Sequence, residues 1–172
     1  GDRKLDSQTY RPAPMSVGLA VMSGIIVALG LVGLAAMPLL IEKGQGVIAI
    51  IVAMLWLVIL VSWQARPKCY EIGRDSLVIV RSFPFIDVVI PLTDMHDART
   101  ARVGALMLWK IYGINGLFSN TGWFRSREFG KFFASITDGN KAVMLSNGKK
   151  YAISPKYPDE FVADLKHIIN QV

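Results

Sequence analysis

The chain is poor in the side chains that most often perform chemistry. Its 172 residues include one cysteine and two histidines. Cys69 has no internal disulfide partner, and a metal site built on it would need further ligands. The sequence has no G-x-S-x-G pattern, no Walker loop and no paired-cysteine motif. His96 and His167 lie in separate segments, which leaves general acid–base catalysis unsupported. We therefore predict that the protein is not an enzyme, with no catalytic residue, cofactor or metal.

Long runs of like charge are also missing. The formal net charge is +6, and residues 65–172 hold 15 Lys and Arg against 10 Asp and Glu, a difference of +5. These charges are dispersed, with no run of five or more, so the sequence gives little support for nucleic-acid binding. Asp94, His96 and Asp97 form the only local cluster of potential metal ligands, and we interpret them as part of a polar loop.

The chain does contain two long apolar runs without a charged residue, at 15–41 and 47–64. A bilayer core about 30 Å thick needs roughly 20 apolar residues of helix. A charged residue at the centre of such a helix would cost about 2.5 to 3.5 kcal/mol. The pattern predicts transmembrane helix 1 at 15–41, an external loop at 42–46 and transmembrane helix 2 at 47–64.

Two other interpretations of these runs are weaker. A helical hairpin buried in a soluble protein normally shows a polar face, but Ser16 and Ser23 are the only polar side chains of the first run. A cleaved signal peptide has an apolar region of about 7 to 15 residues. The first run is longer than that, and a second apolar run follows it at once.

Basic residues flank the pair of apolar runs at its two outer ends, and this distribution predicts the topology. Three precede the first run and three follow the second, whereas the loop between them has one Lys beside one Glu. The positive-inside rule then puts residues 1–14 and 65–172 in the cytoplasm. The flanking residues are Arg3, Lys4, Arg11, Arg66, Lys68 and Arg74.

Small residues recur at every fourth position of the first run, at Ala20, Gly24 and Ala28. This spacing gives one helix face that permits close packing. We predict that this face packs against the second helix or forms a homodimer with a second copy.

Residues 65–172 have the pattern of short strands followed by one helix. Alternating apolar residues predict strands at 69–72, 76–81, 85–90, 132–137, 142–145 and 149–154, with further strand character at 100–103 and 105–112. Asn147-Gly148 predicts a hairpin with a type I′ turn. After Pro158, apolar residues at helical spacing predict an amphipathic helix that covers the sheet. They are Phe161, Val162, Leu165, Ile168, Ile169 and Val172.

Three stretches of this part resemble a bacterial family with the pleckstrin-homology (PH) fold: YEIGRDSLVIV, YGINGLFSNTGWFRS and YAISPKYPDEFVADL. Members of that family often carry two membrane helices ahead of the domain. The resemblance implies a two-helix transmembrane hairpin followed by a mainly β (α+β) PH-like domain. That domain is a curved antiparallel sheet or barrel of about seven strands, capped by a C-terminal helix. It implies no activity. Phosphoinositide-binding members use a basic cluster in the first hairpin loop, but here Gly73-Arg74-Asp75 has a single Arg.

The segment 117–131 combines aromatic and basic residues and is the best candidate for a functional surface. Aromatic side chains favour the membrane–water interface, and each basic residue near an anionic surface adds about 1 kcal/mol of attraction. One hypothesis is that the segment contacts the membrane surface or a partner. The other is that its aromatic residues fill the core and its basic residues are simply solvated. The residues are Phe118, Trp123, Phe124, Arg125, Arg127 and Lys131.

The sequence thus predicts a non-catalytic, multi-pass protein of the bacterial inner membrane with both termini in the cytoplasm. Its expected partners are the lipid bilayer and another membrane or cytoplasmic protein, for which it acts as an adaptor. One alternative is a sensor of the anionic membrane surface. Another is an accessory subunit of a membrane complex.

Overall fold

A computed structural model describes residues 8–82, 85–103 and 109–170, with the backbone alone for 109–116. Helix α1 spans Val17–Glu42 and helix α2 spans Gly46–Ala65. Both are long and apolar enough to cross a membrane. The predictions that rest on Arg3, Lys4 and Val172, and the part of the predicted strand at 105–108, lie outside the described residues.

The two helices form an antiparallel pair that packs through small residues. Ser16 is the N-cap of α1, where its hydroxyl accepts a hydrogen bond from the Leu19 amide at 3.4 Å. The indole Nε1–H of Trp56 donates to the Gly30 carbonyl at 3.0 Å. A Cβ added at Gly33 would lie 3.1 Å from a Val52 methyl group. Glycine at these positions therefore lets α2 approach the backbone of α1 closely.

The rest of the described chain forms two sheets and one helix. The four-stranded sheet has the order β1-β2-β3-β4, with β1 Gln8–Tyr10, β2 Pro67–Ile72, β3 Ser76–Arg81 and β4 Val88–Pro91. The six-stranded sheet has the order β5-β9-β10-β8-β7-β6. Its strands are β5 Asp97–Ala101, β6 Trp109–Leu117, β7 Ser119–Ser126, β8 Gly130–Ile136, β9 Ala142–Ser146 and β10 Lys150–Ile153. Helix α3 spans Pro158–Ile169.

A shared core joins the two sheets to α3. Tyr70 and Ile79 from the first sheet, Leu145 and Ile153 from the second and Phe161 from α3 are all fully buried in it. Helix α3 begins with Pro158 and carries acidic residues in its first turn and basic residues in its last, as its dipole favours. The opposite face of the six-stranded sheet has a second buried cluster, which includes Phe124 and Phe132.

The predicted fold class is confirmed, with two corrections. The described strands form two sheets rather than a closed barrel, and β8 pairs with β10 in parallel, so the architecture is not wholly antiparallel. The β9–β10 hairpin also forms, but its turn is not type I′. Gly148 has a φ of +87°, whereas Asn147 does not have a positive φ, and a type I′ turn needs both.

Candidate functional site

The turn between β6 and β7 packs against the two long helices. Phe118 occupies this turn with a φ of +60°, the one positive φ of a non-glycine residue in the described part of the chain. Its ring contacts Trp63 edge to face, with centroids 5.0 Å apart. Leu117, Phe118 and Ile59 of α2 form a buried apolar cluster. The backbone amide of Phe118 donates a hydrogen bond to Ser23 Oγ of α1 at 2.9 Å. This polar group therefore has a hydrogen-bond acceptor although its surroundings are apolar. We call Leu117 and Phe118 the hairpin tip.

Strand β7 runs away from the apolar stretch of α1. Phe118 contacts Ser23, and two residues later Asn120 pairs with Ile136 at the end of β8. The next residue, Thr137, accepts a hydrogen bond from the Ser16 amide at 3.1 Å. At a rise of 1.5 Å per residue, Ser23 lies about 10 Å along α1 from Ser16. The hairpin tip therefore reaches about two turns into the helix, and the rest of β7 extends in the opposite direction.

The segment before α1, residues 8–16, also binds the domain, and we call it the N-terminal strap. Tyr10 pairs with Tyr70 through β1 and β2. The Tyr10 ring lies 4.9 Å from that of Phe161, and its hydroxyl bonds the Asp164 carboxylate. Burial, helped by Asp164, raises the Tyr10 pKa well above its usual value. Ala13 donates to the Ser154 carbonyl at 2.7 Å. The two ends of the helical pair are thus tied to one domain.

A network of buried hydroxyl groups connects the strap with the core. The Tyr70 hydroxyl donates to the Ser135 carbonyl at 2.9 Å and accepts from the Ser154 amide at 3.3 Å. Thr137 Oγ1 donates to the Ala13 carbonyl at 2.6 Å and lies 3.1 Å from Ser154 Oγ. Desolvation by burial raises the pKa of Tyr70 to about 12, so its phenol stays protonated.

A cleft of about 530 Å³ opens where the strap, the start of β7 and the 3₁₀ turn Gly139–Lys141 meet. The described residues that line it include one carboxylate and no Lys or Arg. The carboxylate, Asp138, already accepts a hydrogen bond from the Asn140 amide at 3.0 Å. This lining does not suit an anionic ligand.

Three aromatic side chains form a line across β7, β8 and β10. Trp123 pairs with Phe133, and Phe133 pairs with Tyr151 in the parallel register. The centroids are 5.7 Å apart for Trp123 and Phe133, and 6.4 Å for Phe133 and Tyr151. All three are half-buried. We call them the aromatic row.

Three basic residues form a second line beside the first. Arg125 pairs with Lys131 across β7 and β8. Lys149 lies in the turn just before β10, two positions before Tyr151, as Lys131 lies two positions before Phe133, the parallel partner of Tyr151. The turn therefore places Lys149 at the end of the sheet where Lys131 lies. Arg125, Lys131 and Lys149 are all exposed, and we call them the basic row. Lys131 Nζ lies 5.2 Å from the Trp123 ring centroid.

The two hypotheses for the predicted aromatic–basic segment each apply to a part of it. Phe118 and Phe124 are buried, at 6% and 0% exposure, and belong to packing clusters. Because they are covered, neither can contribute to an external surface. Trp123 is half-buried, and the basic residues remain exposed. They are Arg125, Arg127 and Lys131. Sequence reasoning missed Phe133, Tyr151 and Lys149, because the cross-strand register brings them to the site.

The predicted small-residue face lies on the outside of α1. Ala20, Gly24 and Ala28 are exposed, and no atom lies within 4 Å of a Cβ added at Gly24. The contact with α2 uses Gly30 and Gly33 instead. Of the two roles considered for this face, packing within the hairpin is therefore wrong.

Comparison with known protein families gives a match to the domain. The family model described as a bacterial PH domain matches residues 68–169, more than half of the chain. The chain belongs to this family. No curated protein and no solved structure matches it significantly. The bacterial PH domain assignment agrees with the two sheets and the C-terminal helix, and it adds no ligand or partner.

Proposed function

We propose that this bacterial PH domain protein is a non-catalytic adaptor, anchored in the inner membrane by α1 and α2, that binds a protein partner. The observation that carries this proposal is the double attachment of the domain to the helices. The hairpin tip bonds Ser23 of α1, and the strap joins β2 through Tyr10. A domain attached at two points presents its far surface at a defined height and orientation, as docking of a partner requires.

Membrane anchoring is supported by the exposed apolar surface of the helices. Only 6% of the most apolar window of α1 and 17% of that of α2 is buried within the chain. Burial of apolar surface is worth about 25 cal/mol per Å², so two such helices need an apolar environment around them. The basic flanks of the pair support a cytoplasmic domain.

Photo-crosslinking in native membranes tests the adaptor function. The full chain would carry a photoreactive phenylalanine analogue at Arg127, far from the helices, or at the exposed Arg74 of the first hairpin loop as a control. We expect one protein adduct from position 127 that disappears when excess unlabelled chain competes, and no such adduct from position 74. Adducts that do not saturate, or adducts with lipid alone, would contradict the proposal.

A second candidate, a sensor of the anionic membrane surface, is supported by the end of α2. The Arg66 guanidinium lies 3.5 Å over the Trp63 ring, and the adjacent Lys68 is exposed. Basic residues beside an interfacial aromatic ring suit contact with anionic head groups. The test is hydrogen exchange of the full chain in neutral and anionic nanodiscs. If the protein is a sensor, the end of α2 should exchange more slowly in anionic than in neutral nanodiscs. Added salt should remove this difference.

A third candidate, an accessory subunit of a membrane complex, is supported by the exposed face of Ala20, Gly24 and Ala28. Such a face permits close approach of another helix, either from a second copy or from a different protein. Gly24→Leu should abolish fixed-stoichiometry co-purification if this candidate is right. Unchanged co-purification would leave the face without a role in assembly.

A further inference from the structure

The basic row combines three cations that form no ion pair with the described carboxylates. Among the described residues, the one ion pair within 4 Å joins Arg99 and Asp97, so no described carboxylate neutralises the row at that distance. Arg125 and Lys131 are direct cross-strand neighbours. Like charges in that position are destabilising, so an external anion would relieve a repulsion that the fold maintains.

The aromatic row holds one of these cations in place. Lys131 lies over Trp123, which contacts Phe133, and Phe133 contacts Tyr151. Lys150, the residue between Lys149 and Tyr151, turns to the other face and donates to the Phe129 carbonyl at 2.9 Å. Lys149 is exposed in the turn just before β10, at the end of the sheet where Lys131 lies. A positioned cation loses less side-chain freedom on binding than a free one.

The row is too far from the helices to contact the same membrane surface. Arg125 follows Phe118 by seven residues, a strand path of about 23 Å, of which about 10 Å runs back beside α1 to the level of Ser16. The row then lies about 13 Å beyond the start of the helix. The Debye length at physiological ionic strength is about 8 Å. Attraction between the row and the leaflet that contains the hairpin tip is therefore screened.

Neighbouring strands are about 4.8 Å apart, so the basic row spans about 10 Å. That length matches three or four residues of an extended chain. A nucleic acid would instead favour a longer basic stripe, and the remaining charges of the domain are dispersed.

We propose that the basic row binds a short acidic segment of a protein partner. This inference rests on the proposed adaptor function and names the chemistry of its partner. Carboxylates of the partner would pair with Arg125, Lys131 and Lys149, while the aromatic row borders the contact.

The test uses the full chain in neutral phosphatidylcholine nanodiscs and a fluorescein-labelled octa-glutamate peptide, followed by fluorescence anisotropy. The row variant is Arg125→Gln, Lys131→Gln and Lys149→Gln. The matched control is Arg74→Gln, Lys156→Gln and Lys166→Gln, which removes the same three charges from exposed positions, one of them over a tyrosine ring. We expect salt-dependent binding by the wild type and the control, and about tenfold weaker binding by the row variant.

Equal weakening in both triple variants would overturn the inference, because it would mean that net charge alone binds the probe. Tighter, row-dependent binding of oligothymidylate would also overturn it and would identify a nucleic-acid site. If the basic row bound anionic nanodiscs more tightly than the peptide, the inference would also be overturned, and the row would be identified as a membrane-binding site. If the crosslink at position 127 saturates but the row variant binds octa-glutamate as tightly as the wild type does, the adaptor function is retained. The inference that the partner binds through an acidic segment is then wrong.

Discussion

The amide of Phe118 donates to Oγ of Ser23 over 2.9 Å, joining a β-hairpin to an apolar helix 95 positions earlier in the chain. This bond connects the domain directly to the hydrophobic part of the protein. It also satisfies the backbone of a turn whose surroundings offer few polar groups.

Replacing Ser23 should therefore weaken the attachment of the hairpin tip. Ser23→Ala leaves the buried Phe118 amide without its acceptor, at a cost of about 1 to 3 kcal/mol. Hydrogen exchange in nanodiscs should show faster exchange at Phe118. Ser23→Thr, which retains a hydroxyl group, should restore most of the protection. Equal exchange in the wild type and Ser23→Ala would show that the bond does not hold the tip.

The positive φ of Phe118 should reverse the usual order of glycine and alanine substitutions. Both remove the ring and its contact with Trp63, at a cost of about 3 to 5 kcal/mol. Glycine, however, avoids the left-handed strain of about 1 to 2 kcal/mol that alanine retains. We expect Phe118→Gly to be the more stable of the two in equilibrium unfolding in detergent micelles.

A matched pair at Phe124 provides the control for that comparison. Phe124 is also buried, but its φ is not positive. Phe124→Gly should therefore be less stable than Phe124→Ala. The same order at both positions would argue against backbone strain in the hairpin tip.

Stability should fall at high pH in part because of Tyr70, in addition to Tyr10, whose pKa is also raised. The pKa of Tyr70 is raised from the usual 10.0 to about 12 when folded. The unfolded chain then loses this proton at lower pH than the folded chain does. The stabilisation is complete below pH 10 and is lost as the pH rises to about 12, a change of roughly 2 to 3 kcal/mol.

Tyr70→Phe checks the origin of that loss. In urea titrations of the full chain at a series of pH values, the variant should be less stable at neutral pH, because the Ser154 amide loses its acceptor. Its stability should also decline less between pH 10 and 12 than that of the wild type. Tyr157→Phe, at an exposed position, should behave like the wild type. An unchanged decline in Tyr70→Phe would assign the pH effect to other groups.

The two faces of α1 should respond differently to the same substitution. Gly33→Val introduces side-chain atoms next to Val52, with the added Cβ at 3.1 Å, and overpacking costs about 1 to 3 kcal/mol. Gly24→Val points into open space and should leave the thermal stability of the monomer unchanged. Comparable losses in both variants would mean that Gly24 also packs against part of the protein.

Local sequence patterns correctly predicted the helices and strands that can be recognised without knowing which element they pair with. The strand Ser76–Arg81 and helix α3 follow from alternation and from helical spacing, and both form. Strand β1 could not be predicted, because three polar and aromatic residues become a strand only when β2 is beside them. Strand β7 was missed for a related reason. Its glycine and polar residues pair with β8, although their intrinsic strand preference is weak.

The candidate site shows the same limit. The sequence indicated Trp123, Arg125 and Lys131, which are close together along the chain. It could not indicate Lys149, because only the parallel pairing of β8 and β10 brings the turn that holds it to the end of the sheet where Lys131 lies. The buried state of Phe118 was equally hidden, since it depends on a helix near the other end of the chain.

The strap has a consequence for biosynthesis. Tyr10 comes before both long helices and pairs with Tyr70, which comes after them. If α1 and α2 span a bilayer as we propose, this pairing requires the start of the chain and residues 67 onward to be on the same side of it. A molecule in which one helix failed to insert would have β1 and β2 on opposite sides. It would leave the edge of β2 unpaired and the Phe161 ring without its contact with Tyr10. Under the proposed membrane anchoring, completion of the first sheet would therefore depend on the insertion of both helices.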